Sequence, residues 1–151
     1  MSTLFAVLLI VHVVLGLVGV MASFRVTFLL LRPEVQIRSL KCTSMLAFLS
    51  YIISWLSGGW YYWKYYGASV KPKIIGGDYA WAHAIFMEAK EHVFLFLPFV
   101  TFCVWLIIWK KADTFPTDTL LRKRMMILSL CITLVATIIT LSGVLITGGA
   151  R

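Results

Sequence analysis

Four long apolar runs separated by short polar stretches organise this chain. They cover about residues 4–31, 43–62, 79–109 and 125–147. A helix that crosses a bilayer needs ~20 predominantly apolar residues. Each run reaches that length, and runs one and three exceed it, so they tilt or project beyond the hydrocarbon. The punctuation between runs is that of helix ends. Pro33 and Pro116 fall in turns, Thr117, Asp118 and Thr119 are candidate N-caps for the fourth helix, and Gly148-Gly149 end it. Pro98 lies inside the third run, where membrane helices tolerate a missing backbone bond. The pattern predicts one all-α domain over residues 1–151, an integral membrane four-helix bundle.

Composition agrees with that reading. The chain is 61% hydrophobic and 13% charged, where soluble domains carry about 25% charged residues. Its mean hydropathy is +0.93. Cys42, Cys103 and Cys131 form no CxxC pair, so neither a disulfide framework nor a zinc site is indicated. The start of the chain lacks a basic n-region, and its apolar run is longer than a signal h-region. The first helix is therefore expected to remain as an uncleaved anchor.

Charge sets the orientation. The net charge is +8, but no aromatic-basic groove or reader motif accompanies it, so nucleic acid is not an expected partner. Lys and Arg number three in loop one (Arg32, Arg38, Lys41), three in loop two (Lys64, Lys71, Lys73) and five in loop three (Lys110, Lys111, Arg122, Lys123, Arg124). The positive-inside rule places the two short basic loops, one and three, in the cytoplasm against anionic lipid heads. Loop two, which is longer, and both termini then lie outside. The expected location is a bacterial-type plasma membrane, crossed several times.

Two stripes and one cluster stand out. Ala47, Ser50, Ser54, Ser57 and Gly58 recur at spacings of three and four on helix two, as Thr133, Thr137 and Thr140 do on helix four. Small and hydroxylated stripes let membrane helices approach and bond across. Trp60, Tyr61, Tyr62, Trp63, Tyr65 and Tyr66 crowd the outer end of helix two. They read as an interfacial belt, with a wall around a quinone or haem edge as the functional alternative. Helices one and two with their basic loop echo helices three and four with theirs, a hint of duplication.

The candidate chemistry is in the outer half. Glu88-Ala89-Lys90-Glu91-His92 abuts the seventeen uncharged residues Val93 to Trp109. A charge in the bilayer centre costs roughly 2.5 kcal/mol or more, and such groups usually pair or face a cavity. At 1.5 Å per residue His12 stands about 30 Å above Arg32 and His92 about 27 Å above Lys110. Helices one and three run the same way, so the two imidazoles are expected at similar depth. Gly16 and Gly19 share the face of His12 and would leave room for a flat macrocycle, or for a neighbouring helix. At 100° per residue, Glu88 falls about 40° from His92, Glu91 lies between His92 and His83, and Lys90 falls beside His83. His83 and His92 therefore point to opposite sides. Two sites result: His12 and His92 as axial ligands of one haem b, or His12, Glu88, His92 and Glu91 around a non-haem ion such as iron, copper or zinc. Lys90 and His83 are secondary, facing a propionate, a quinone head or a lipid phosphate.

In helix count and histidine placement the chain resembles the four-helix membrane cytochromes b, whose transmembrane histidines hold haem between helices. The resemblance implies electron transfer. Such proteins often carry two haems on four histidines, whereas His12, His83 and His92 allow at most one bis-histidine haem. The remainder of a transmembrane electron path would then come from another subunit.

The leading expectation is a cytochrome b-like redox protein holding one haem b or a metal near the outer face between the first and third helices, with quinone as a candidate partner. It would be an electron-transfer component without substrate chemistry of its own. Two alternatives stand beside it: a non-enzymatic small subunit or assembly factor of a larger membrane complex, and a proton-coupled carrier using Glu88 and Glu91 as a homo- or hetero-oligomer. No Walker loop, HExxH, dinucleotide fingerprint or Ser-His-Asp order is present.

Overall fold

The helix Thr3–Leu31 ends before Pro33 and the helix Glu88–Lys110 ends before the turn that holds Pro116, whereas Pro98 lies inside a continuous helix. The structure, a computed structural model, describes residues 2–77, 80, 81, 85 and 87–148, without the side chains of 88–91, 94 and 146–148. Among the described residues all regular structure is helical. Helix α1 spans Thr3–Leu31 and α2 spans Ile37–Tyr61. A π-helical stretch, Tyr62–Val70, continues α2 into the short α3, Lys71–Ile75. Helix α4 spans Glu88–Lys110, and after a 3₁₀ turn at Ala112–Thr114, α5 spans Thr119–Gly148.

Among the described residues three helical stretches, Thr3–Leu31, Ile37–Ile75 and Thr119–Leu145, are long and apolar enough to cross a membrane. Within α4 the apolar stretch found among the described residues is shorter, Leu95–Lys110. Helix α2 begins at Ile37 and α5 at Thr119, each about six residues before its apolar run. Lys and Arg are good helix formers, so the basic residues that bound the apolar runs sit on the first turns of these helices. The ends have local causes. Arg32, extended at φ −63° and ψ 144°, precedes Pro33, which disfavours the helical region for its predecessor. The Asp118 carboxylate accepts from the Leu121 N–H at 2.8 Å and caps α5.

The four long helices pack as a ring. Helix α1 touches α2 and α5, and α4 touches the same two, so α1 and α4 stand at opposite corners. One core runs along the ring, with Val26, Leu30, Leu40, Tyr51, Ile108 and Phe115 almost fully enclosed. The small stripe of α2 is buried, as the spacing requires: Ala47, Ser50, Ser54 and Ser57 all face inward. The threonines of α5 do not bond across. Thr133, Thr137 and Thr140 each donate to the carbonyl four residues back, at 2.8–2.9 Å. An apolar setting leaves that carbonyl as the nearest acceptor.

One hydroxyl does cross from α5 to α1. Ser129 Oγ donates to Ser23 O at 2.9 Å, and both residues are buried. Ser129→Ala is expected to lower stability by about 1 kcal/mol, read by thermal unfolding in detergent. Thr137→Ala, which removes only a local back-bond, is the control expected to change it less.

Candidate functional site

Helix α1 carries His12 in its N-terminal third, and the hairpin geometry places Ser54 beside it. His12 lies nineteen residues before Leu31 and Ser54 seventeen residues after Ile37. At 1.5 Å per residue the two therefore sit within about 3 Å of the same height. The contact is reciprocal. His12 Nδ1 donates to Ser54 O at 2.9 Å, and Ser54 Oγ donates to His12 O at 2.8 Å. The Ser54 hydroxyl oxygen also lies 3.1 Å from Nδ1.

This arrangement assigns the tautomer. A carbonyl oxygen only accepts, so Nδ1 carries the proton, and in the neutral ring Nε2 bears the lone pair. Ser57 Oγ lies 3.1 Å from the same carbonyl, but its one proton has a nearer acceptor in Ile53 O at 2.8 Å. The ring rests on Gly58, one turn above Ser54. A Cβ at Gly58 would lie 2.7 Å from Cε1 and 3.0 Å from Cγ of His12. Only a glycine lets the imidazole seat there.

Gly16 and Gly19 serve the same seam. A Cβ at Gly16 would meet Ser54 Oγ at 3.4 Å, and one at Gly19 would come within 2.8–3.0 Å of the Tyr51 ring. Tyr51 is fully buried, and its phenol oxygen lies 3.4 Å from Ser23 Oγ. The space beside these glycines is taken by α2, so of the two uses expected for them, close helix approach is the one the structure displays.

His92 is elsewhere. It is exposed near the N-terminal end of α4 and borders an apolar groove of about 340 Å³ between α4 and α5, lined by Phe96, Val100, Leu128, Ile132 and Val135 among others. Among the described contacts, His12 belongs to the α1–α2 seam and His92 to the rim of the α4–α5 groove, and none joins the two imidazoles. His83 lies outside the described residues, as do the side chains of Glu88, Lys90 and Glu91. Among the described residues no group of three or more metal-ligating side chains forms.

The aromatics at the C-terminal end of α2 and in the π-helical stretch pack mainly on one another and on α1. Phe5 meets Tyr61 at 6.5 Å edge-on and Tyr65 at 5.1 Å, while Tyr62 stacks on Tyr66 at 5.2 Å. Tyr66 and Ile74 form a small second core with Tyr61, Tyr62, Val70 and Met87 around it. These contacts tie the first turn of α1 to the π-helical stretch directly above the His12 seam.

Ser54 and Gly58 are the residues whose part in the site spacing alone hid. Both belong to the small stripe of α2 and look like ordinary packing positions. Counting residues from the hairpin turn would have found Ser54 opposite His12. Ser54→Ala keeps the carbonyl that holds Nδ1 and removes the hydroxyl bond to His12 O. A loss of about 1 kcal/mol is expected, measured by thermal unfolding in detergent.

No protein-family model, no curated protein and no solved structure matches this chain.

Proposed function

We propose that this chain is a four-helix integral membrane protein with both termini outside, and that its outer half holds a metal-centred redox cofactor through His12 for electron transfer near the outer face. One observation carries the reading. The Ser54 carbonyl holds Nδ1–H at 2.9 Å and leaves Nε2 as the lone-pair nitrogen. Ligand imidazoles are typically oriented in this way, with the second ring N–H donating to a carbonyl or carboxylate that fixes the ring and raises its basicity.

A haem b or a non-haem ion such as iron or copper supplies one-electron chemistry in such a site. The protein contributes a ring fixed by Ser54 and Gly58 and an apolar surrounding. Because Tyr51 and Ser54 fill the Gly16–Gly19 face, a planar macrocycle does not fit on that face in this arrangement. His92 is the second imidazole in this proposal, and its place at another seam makes it the more demanding partner.

The alternative is a non-enzymatic small subunit of a larger membrane complex. The crowding of Tyr51, Ser54 and His12 onto three glycines favours it, since these polar groups already serve to lock α1 onto α2. Metal and haem analysis of protein purified in detergent, after growth with iron, copper and haem precursor supplied, separates the two. Stoichiometric cofactor supports the redox proposal. Its absence under these conditions overturns that proposal in favour of the subunit.

A further inference from the structure

Arg25 interrupts α1, the most apolar of the long helical stretches among the described residues, six residues before its end. It is exposed on α1, with Met21, Phe24 and Phe28 exposed around it. In the membrane reading, on which this inference rests, its Cα lies about 9 Å above Leu31 and inside the inner leaflet. A guanidinium there needs an anionic or polar partner. Among the described residues its partner is the Ser39 hydroxyl, at 3.5 Å across the hairpin.

That bond shows where the guanidinium goes. Ser39 lies about 3 Å above the start of α2 and Arg25 about 9 Å above the end of α1. The side chain therefore runs down toward the cytoplasmic boundary, as a snorkelling arginine does. Arg32 approaches from the other end. Its guanidinium carbon sits 5.1 Å over the Phe28 ring, one turn above its own Cα. Arg25, Phe28 and Arg32 follow at i, i+3 and i+7, so they share one exposed face. Ser39 and Phe28 lie at nearly the same height, so the two guanidiniums converge on one level of that face. Arg38, exposed beside Ser39, adds a third positive charge.

We infer that Arg25 and Arg32, with the Ser39 hydroxyl between α1 and α2, bind the phosphate of an anionic phospholipid from the inner leaflet. The acyl chains would lie along the exposed apolar stripe of α1 above Arg25, where Leu17, Met21 and Phe24 present their side chains. Guanidinium forks match phosphate oxygens in pairs, which favours a headgroup phosphate over diffuse surface attraction. A net negative headgroup offsets part of the local positive charge of Arg25, Arg32 and Arg38, which a zwitterionic lipid does not.

The test uses the full chain in bilayers of phosphatidylcholine alone or with one quarter phosphatidylglycerol. After mild extraction, the phospholipid retained per chain is counted by native mass spectrometry. The wild type is expected to retain phosphatidylglycerol selectively. Arg25→Gln and Arg32→Gln are each expected to reduce that retention about five-fold. Arg25→Lys should retain more than Arg25→Gln, and Arg124→Gln on the third loop should leave retention unchanged. Equal retention of both lipids by the wild type, or undiminished retention by the Arg25→Gln/Arg32→Gln double variant, overturns the inference. Chains that fail to enter either bilayer overturn the membrane reading itself, a separate result because incorporation is scored before lipid is counted.

Discussion

Gly58→Ala is expected to destabilise the protein while Gly59→Ala leaves it equal or slightly more stable. Both substitutions replace glycine within or next to the last turn of α2, and each gains up to about 1 kcal/mol of helix propensity. The surroundings differ completely. A Cβ at Gly59 meets nothing within 4 Å, whereas one at Gly58 overlaps the His12 ring. The overlap includes Cγ at the root of the ring, so rotating the ring tip does not relieve it. The ring as a whole must leave its seat, and with it goes the 2.9 Å bond to Ser54 O. Overpacking of this kind costs roughly 1–3 kcal/mol. At ~2–4 °C per kcal/mol for a chain of this size, the two variants should melt several degrees apart in detergent. Equal melting temperatures would mean that His12 does not rest on Gly58.

How much of this could be read beforehand depends on the kind of signal. Apolar runs show where α1, α2 and α5 lie, because a helix that is apolar all round declares itself by continuous hydrophobicity. They misplaced the starts of α2 and α5, because Arg38, Lys41 and Arg122 to Arg124 are excluded by hydropathy yet accepted by helical backbone. The π-helical turn at Tyr62–Val70 was invisible, since its aromatics have the same composition whether the turn closes at four residues or five. At the site, His12, Gly16 and Gly19 drew notice as one face of one helix. What that face meets is a property of hairpin register, and register brings Ser54, Gly58 and Tyr51 onto it. The expected pairing of His12 with His92 used depth alone. Depth does not fix which corner of the ring each helix occupies, and α1 and α4 occupy opposite corners.

Removing the His12 imidazole is expected to abolish cofactor binding altogether. His12→Ala deletes the proposed ligand nitrogen, and it also leaves space beside Gly58, so loss of cofactor alone would not distinguish a missing ligand from a loosened seam. The double substitution His12→Ala/Gly58→Ala answers this. The added methyl group at position 58 partly fills the space the ring leaves, because that is where its Cβ would stand. The double variant should melt closer to the wild type than His12→Ala does and still bind no cofactor. Ser54→Ala, which keeps the orienting carbonyl, should retain binding with at most a modest loss of affinity. His92→Ala asks a separate question, since its removal changes the spectrum only if the α4 imidazole completes the site.

A reduced-minus-oxidised visible spectrum, taken with metal analysis on wild type and on the His12→Ala/Gly58→Ala variant, tests the central claim most directly. A Soret band or stoichiometric redox metal is expected in the wild type and neither in the variant, with both proteins folded. Wild-type protein that carries neither, when expressed with haem precursor, iron and copper supplied, would contradict it, as would a variant that keeps the full signal.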